Sequence, residues 1–132
     1  MEHRKVENPV VWFEIYVADI ERARKFYETV FQIGLNEMPV PDIGEEIQML
    51  FFPANMESQN RASGSLIKME GMNPGGNSTI VYFMSEDCKL EEARVVDAGG
   101  KVFKSKMSLG AYGHMVLATD TEGNMIGIHS MK

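Results

Sequence analysis

The sequence predicts an α+β domain built from two similar β-α-β-β-β modules, and three observations lead to this prediction. The chain has 132 residues, which is close to the commonest domain size and enough for one hydrophobic core. Short segments rich in β-branched and aromatic residues alternate with two helical patterns. A Gly-rich segment separates two halves that repeat the same order. We therefore expect a single domain over residues 1–132, with a first module at 8–70, a linker at 71–77 and a second module at 78–132.

The first half is predicted to contain one helix between strands. Residues 10–17 (VVWFEIYV) have the composition of a strand. Asp19 is a candidate N-cap for a helix that starts at Ile20, because apolar residues recur there at spacings of three and four. Gly34 is expected to end this helix. Further strands are predicted at 47–52 and 62–70.

The second half repeats this order after the linker. A strand is predicted at 79–84, followed by a short helix that Gly99 and Gly100 close. The apolar side of this helix is predicted to consist of Leu90, Ala93, Val95 and Val96. Three strands are then expected, one from Val102, one at 112–118 and one at 125–129, with a turn at 120–123 before the last.

Composition excludes several classes of function. The net charge of −6 and the pI near 5 give no electrostatic support for binding nucleic acid or an anionic membrane. A single cysteine, Cys88, excludes an intrachain disulfide framework and a Cys-rich zinc site. No apolar stretch reaches the roughly 20 residues that span a bilayer, and no signal peptide is expected. These features predict a cytoplasmic protein.

Three segments resemble the vicinal oxygen chelate superfamily, which includes glyoxalase I, bleomycin-resistance proteins and extradiol dioxygenases. Residues 13–27 (FEIYVADIERARKFY) resemble its first strand and helix, residues 98–102 its second-helix exit, and residues 120–129 (DTEGNMIGIH) its final turn and strand. The likeness runs from Asn8 to Lys132 and is greatest to a glyoxalase-like subgroup without assigned substrates. The resemblance implies curled mixed sheets around a cup, homodimers, and pockets at module interfaces.

The resemblance also implies a divalent metal held by four ligands in the cup, but this sequence departs from the pattern at those positions. Trp12 stands at the first ligand position and Gly127 at the last. Ile80 or Tyr82 stands at the second-module position, depending on the alignment. The remaining position offers only Gln48 among apolar residues. Because a divalent ion needs several His or carboxylate donors, we predict no metal ligands and no metal cofactor.

Strand alternation predicts which side chains line the cup instead. The predicted pocket, which Gly127 would open locally, is mostly apolar and consists of Trp12, Tyr16, Ile80, Tyr82, Met84, Met125 and Gly127. Such a pocket suits a small hydrophobic or aromatic molecule. The alternative is that these residues fill the cup as ordinary core, since the 11 methionines suit either role.

Glu14 and His129 are the candidate catalytic residues, because each lies two residues beyond a lost ligand position. A carboxylate beside an imidazole could perform acid–base chemistry, or could be a structural pair. Two other polar groups are weaker candidates: His114 at a strand start, and Cys88, which has no adjacent base to activate it.

The leading hypothesis is a metal-free protein that binds a small organic molecule. The alternatives are a lyase, isomerase or dioxygenase-like enzyme with an atypical site around Glu14 and His129, a metal enzyme whose ligands the alignment misses, and an interaction module whose cup is closed by core side chains.

Overall fold

The computed structural model describes residues 2–6, 8–39, 46–54 and 62–132, and these form two mixed sheets and two α-helices. The first half contains β1 (Trp12–Tyr16), α1 (Ile20–Phe31), β2 (Ile47–Phe51) and β3 (Ser63–Met69). The second half contains β4 (Val81–Met84), α2 (Cys88–Val95), β5 (Lys101–Ser108), a 3₁₀ turn (Gly110–Tyr112), β6 (His114–Thr119) and β7 (Met125–Ser130). In the described part of the chain, neither helix is long and apolar enough to cross a membrane.

The two mixed sheets and two helices confirm the predicted α+β class, and the sheets share a pairing pattern apart from one additional strand in the second. The first sheet has the order β1-β3-β2 and the second β4-β7-β6-β5. In each sheet the first strand of the half pairs in parallel with the last, and the other pairs are antiparallel. Each module therefore folds back on its own first strand, which leaves β1 and β4 at sheet edges.

The first half lacks one of the strands expected of a β-α-β-β-β module within the described residues. At its place is a single antiparallel bridge between Asn36 and Phe51. Pro39 follows three residues later and has no N–H to donate, so a ladder there could not be extended normally. The predicted strand and helix bounds otherwise agree with the structure to within a few residues.

Helix α1 begins where the sequence predicts and ends earlier. The Asp19 side chain accepts a hydrogen bond from the Arg22 amide at 3.0 Å, as expected of an N-cap. The helix ends at Phe31 because Gln32 adopts the left-handed conformation, with φ 55°, and its side chain donates to the Thr29 carbonyl. The prediction that Gly34 supplies the stop is therefore wrong.

The predicted packing face of α2 is largely wrong. Leu90, Ala93 and Val96 are exposed, whereas Cys88 and Val95 are buried. These two residues are seven positions apart, which places them on the same side of a two-turn helix. A helix this short gives too few repeats for periodicity to identify its buried face.

Phe83 joins the two sheets, although no strand pairing connects β1 with β4 in the described residues. Its ring stacks on Phe31 with centroids 4.4 Å apart and packs against three other rings. These neighbours are Phe52 at 5.5 Å, Tyr27 at 5.9 Å and Phe13 at 6.1 Å. We call these five residues the aromatic cluster. Burial of these aromatic rings holds β4 against α1 and against the first sheet.

The turn between β6 and β7 is anchored to the start of α1 through Glu122. The side chain of Glu122 is fully buried and accepts hydrogen bonds from the amides of Ala18 and Asp19, both at 2.9 Å. It also forms a 2.7 Å ion pair with Arg22 and accepts from the Thr121 hydroxyl. The motif that resembles a family turn therefore has a structural function here.

Asp120 and Asn124 extend this anchor to two further segments. The buried Tyr27 hydroxyl donates to Asp120 at 2.7 Å, and Asp120 also accepts from the amide of Asn124. The Asn124 side chain donates to the Tyr16 carbonyl and accepts from the Gly75 amide. One turn thus fixes the end of β1, the core of α1 and the linker.

We expect the folded protein to lose stability in acid through Glu122. Burial acts to raise the pKa of this carboxyl, but hydrogen bonds from Arg22 and from backbone amides outweigh burial and lower the pKa from 4.5 to about 2. Because the folded state favours the ionised form, this stabilisation is complete above the unfolded pKa and disappears as the pH falls toward 2.

Allowing for screening at the half-exposed guanidinium, the loss amounts to about 2–3 kcal/mol. Urea unfolding at steps from about pH 6 down to about pH 2 measures it. The variant Glu122→Gln should be less stable than the unmodified protein at neutral pH, and its free energy of unfolding should change less with pH over this range. An equally steep acid dependence in the variant would assign the effect to other carboxyls.

Candidate functional site

A cleft of about 1200 Å³ is lined by residues of both edge strands, β1 and β4. Four rings of the aromatic cluster, those of Phe13, Phe31, Phe52 and Phe83, also line it. Strands β1 and β4 therefore form two sides of the cleft, and the aromatic cluster forms the side that faces the core. This volume is large enough for a drug-sized molecule.

Six of the seven predicted pocket residues line this one cleft. They are Trp12, Tyr16, Ile80, Tyr82, Met84 and Met125. Trp12 and Tyr82 are 42% and 48% exposed, so their rings are accessible rather than closed into a core. Ile15 and Val17 are buried in the core as the alternation along β1 predicts, but Phe13 and Ile15, which it places on the helix side, also line the cleft.

Gly127 does not open the cavity as predicted, because the ring of Tyr82 fills the space above it. Tyr82 and Gly127 are register partners on β4 and β7, and a Cβ at Gly127 would overlap this ring. The Tyr82 hydroxyl reaches across β7 to within 4.0 Å of the Met115 sulfur. An aromatic ring thus covers the backbone position from which the last metal ligand of the family would project.

The residues at the other expected ligand positions do not fit a divalent metal either. The Trp12 indole is a donor only, and its N–H donates to Glu14 at 3.3 Å. Ile80 has no donor atom, and Gln48 is an exposed residue of β2 outside the cleft lining. Within the described ranges, no three His, Cys, Asp or Glu side chains come together as a metal site. The residues at these positions therefore do not fit the divalent metal that the resemblance implies.

Glu14 lies on the cleft side of β1 and is held by two aromatic side chains. The Tyr16 hydroxyl donates to Oε1 at 2.8 Å, and the Trp12 N–H donates to Oε2. Partial burial, the hydrogen bond to Glu14 and the charge of Glu14 all raise the pKa of Tyr16. Tyr16 therefore stays a neutral donor, and the carboxylate is fixed at the cleft wall.

His129 lies outside the lining of the cleft that includes Glu14, contrary to the expectation that their strands meet at one site. Its Nε2 lies 2.6 Å from the Tyr112 carbonyl oxygen, and the residue is not among those that line the cleft. No hydrogen bond joins the two candidate catalytic residues, both of which the structure describes. A catalytic role for either stays a prediction.

The two weaker candidates lie outside the cleft as well. Cys88 is buried against Val116 and Ile128. His114 is half-buried at the start of β6, and its Nδ1 is buried without a hydrogen-bond partner among the described residues.

Sequence reasoning missed the contribution of the linker, which it treated as a connector. Asn73, Pro74, Gly75 and Asn77 line the cleft, and so does Asn124. Asn77 is tied to β7 by a hydrogen bond from the Met125 amide at 3.1 Å. The composition of the linker carries no signal for this role, since contacts with the 120–124 turn and with β7 bring it to the cleft.

Comparisons with known proteins agree with this architecture. A family model described as bleomycin resistance protein-like N-terminal matches residues 10–43. The proposed glyoxylase CFP32 of Mycobacterium bovis and of Mycobacterium tuberculosis is 29% identical over 122 residues, or 89% of this chain. The chain spans only 43% of the length of these curated relatives.

Two solved structures illustrate the range of proteins with a similar fold. Glyoxalase I from Zea mays superposes with a TM-score of 0.71 at 22% identity, over 98% of this chain and 48% of that one. TnmS3, an antibiotic binding protein from Streptomyces sp. CB03234, superposes with a TM-score of 0.66 at 22% identity, over 97% and 98% of the two chains. At these identities the likeness establishes the fold alone.

Proposed function

Because this chain has the vicinal oxygen chelate fold of glyoxalases and bleomycin-resistance proteins, we propose that it binds a small hydrophobic or aromatic molecule in the β1–β4 cleft without a metal. The observation that carries the proposal is the convergence of accessible aromatic and methionine side chains on one cleft. A mostly apolar cavity with few polar groups is typical of small-molecule sites.

The lining supports ligand binding over the two main alternatives. An interaction module with a closed cup would have these side chains packed against one another, whereas Trp12 and Tyr82 are about half exposed. A glyoxalase-type metal enzyme would need donors where Trp12 and Gly127 stand. TnmS3 has the same fold and binds an antibiotic, which supports binding as a function for this architecture. A homodimer and a cytoplasmic location stay predictions.

Removing either exposed ring should weaken ligand binding strongly. We expect Trp12→Ala and Tyr82→Ala each to raise the Kd for Nile red, a neutral planar dye, by about tenfold, because each change removes a large aromatic contact. Dye fluorescence, which rises in apolar surroundings, measures the Kd, and thermal unfolding checks that both variants fold.

Tyr112→Ala is the matched control, since Tyr112 is 79% exposed and does not line the cleft. This variant should bind the dye like the unmodified protein. Equal affinity in all four proteins would contradict the proposal.

A further inference from the structure

The charge in the cleft is of one sign. Among the described residues that line it, Glu14 is the only Asp, Glu, Lys, Arg or His. The described lysines and arginines all lie outside the lining, and none forms an ion pair with Glu14. The Glu14 charge therefore has no counter-ion in the described part of the chain, in contrast to that of Glu122, which Arg22 neutralises.

The arrangement around Glu14 keeps this carboxylate available. Its two hydrogen-bond donors, the Trp12 indole and the Tyr16 hydroxyl, are both neutral, and each uses only one of the acceptor sites on its oxygen. The bonds hold the carboxylate in one orientation without cancelling its charge. A ligand with a donor or a positive charge can still approach it.

The aromatic walls favour the same sign of ligand charge. The faces of tryptophan and tyrosine rings are electron-rich and attract cations within about 6 Å. Trp12, Tyr16 and Tyr82 all line the cleft with Glu14. The net charge of −6 adds a long-range attraction for cations that raises the encounter rate.

We propose that the preferred ligand of the cleft is an aromatic molecule with a cationic nitrogen, bound with the nitrogen beside the Glu14 carboxylate and its ring system against Trp12 and Tyr82. This inference rests on the proposed small-molecule function and specifies its ligand class. The apolar walls supply affinity for the ring, and the carboxylate selects the charge.

A series of probes on one ring system separates these contributions. The series is naphthylmethyl-trimethylammonium (cation), naphthylmethanol (neutral) and naphthylacetate (anion), each titrated by calorimetry. We expect the cation to bind about fivefold more tightly than the alcohol, since a carboxylate and aromatic faces in an open cleft give about 1 kcal/mol, and the anion to bind most weakly. The cation's advantage should shrink with added salt.

Trp12 can report whether the ligand binds at the proposed place, because it is the only tryptophan of the chain. Its indole N–H gives a single signal in a nitrogen–proton NMR spectrum, and this N–H donates to Glu14. Binding at the proposed place should shift this signal in step with the calorimetric saturation. Saturation without any shift would place the ligand elsewhere and overturn the inference.

The variant Glu14→Gln tests the carboxylate, because the amide keeps the shape and one acceptor but loses the charge. We expect the ratio of cation to alcohol affinity to fall from about fivefold to less than twofold. Glu21→Gln is the matched control, since Glu21 lies on α1 with its side chain 64% exposed and changes the net charge equally. Its ratio should stay at the unmodified value.

The outcomes distinguish this inference from the function on which it rests. If none of the three probes binds, the proposed small-molecule function fails. If all bind with similar affinity, or the anion binds best, the function stands and the cation preference is wrong. If Glu14→Gln weakens all three equally, Glu14 only shapes the cleft, which also overturns the inference.

Discussion

Replacing Glu122 by alanine should lower the free energy of unfolding by about 3–4 kcal/mol, one of the two largest losses that we expect from a single substitution. The change leaves the Ala18 and Asp19 amides without their acceptor and frees Arg22. Each lost bond involves a charged, fully buried carboxylate, and such bonds contribute more than neutral ones. Urea unfolding followed by circular dichroism measures the loss.

Two further variants separate the carboxylate from its ion pair. Arg22→Ala should cost about 1 kcal/mol, because the arginine side chain is 52% exposed and Glu122 keeps its backbone donors. Glu21→Ala, which removes an exposed carboxylate one residue away on the same helix, should change stability by less than about 0.5 kcal/mol. If Arg22→Ala costs as much as Glu122→Ala, the ion pair and not the amide contacts holds the turn.

Replacing Gly64 by alanine should destabilise the protein by about 3 kcal/mol or more. Gly64 pairs with Phe13 in the parallel ladder of β1 and β3, and the Phe13 ring lies directly over it. An added Cβ would overlap the Phe13 carbonyl oxygen and come within 2.6 Å of the ring's Cγ. To make room for the Cβ, the backbone would have to shift and break hydrogen bonds of the ladder, or the Phe13 ring would have to move and disturb the aromatic cluster.

Gly34→Ala is the matched control for this substitution. A Cβ added at Gly34 would meet no heavy atom within 4 Å, and this residue is not among the glycines with positive φ. Alanine there should be neutral or stabilise slightly by restricting the unfolded chain. Thermal and urea unfolding of the two variants compare the same chemical change in a crowded and an open place. A loss below about 1 kcal/mol at Gly64 would mean that the ladder relaxes easily.

Much of the fold could be predicted because its signals are local. Alternation along β1 correctly identified Ile15 and Val17 as core residues, and Asp19 correctly marked the start of α1. Helix α2 failed because two turns give too few repeats to identify a face. The end of α1 failed because Gln32 adopts a conformation that sequence reasoning reserves for glycine.

Strand alternation predicted some of the residues that line the candidate site, but not the contacts between different segments. It identified Trp12, Tyr82 and four neighbours that share the cleft. Strand alternation could not predict that the Tyr82 ring covers Gly127. The glycine lies on β7 and the ring belongs to β4, so the contact depends on how these two strands pair. Strand alternation also missed the linker, whose place depends on contacts about 50 residues away, such as Gly75 with Asn124.

The Glu122 anchor has a consequence for the order of folding. Its bonds join residues up to 104 positions apart in the chain, between the Ala18 amide and the turn before the last strand. Closing so long a loop costs entropy before the contact gives anything in return, so such contacts form after more local ones. We therefore expect the Glu122 anchor to form late in folding, so that its loss speeds unfolding more than it slows folding.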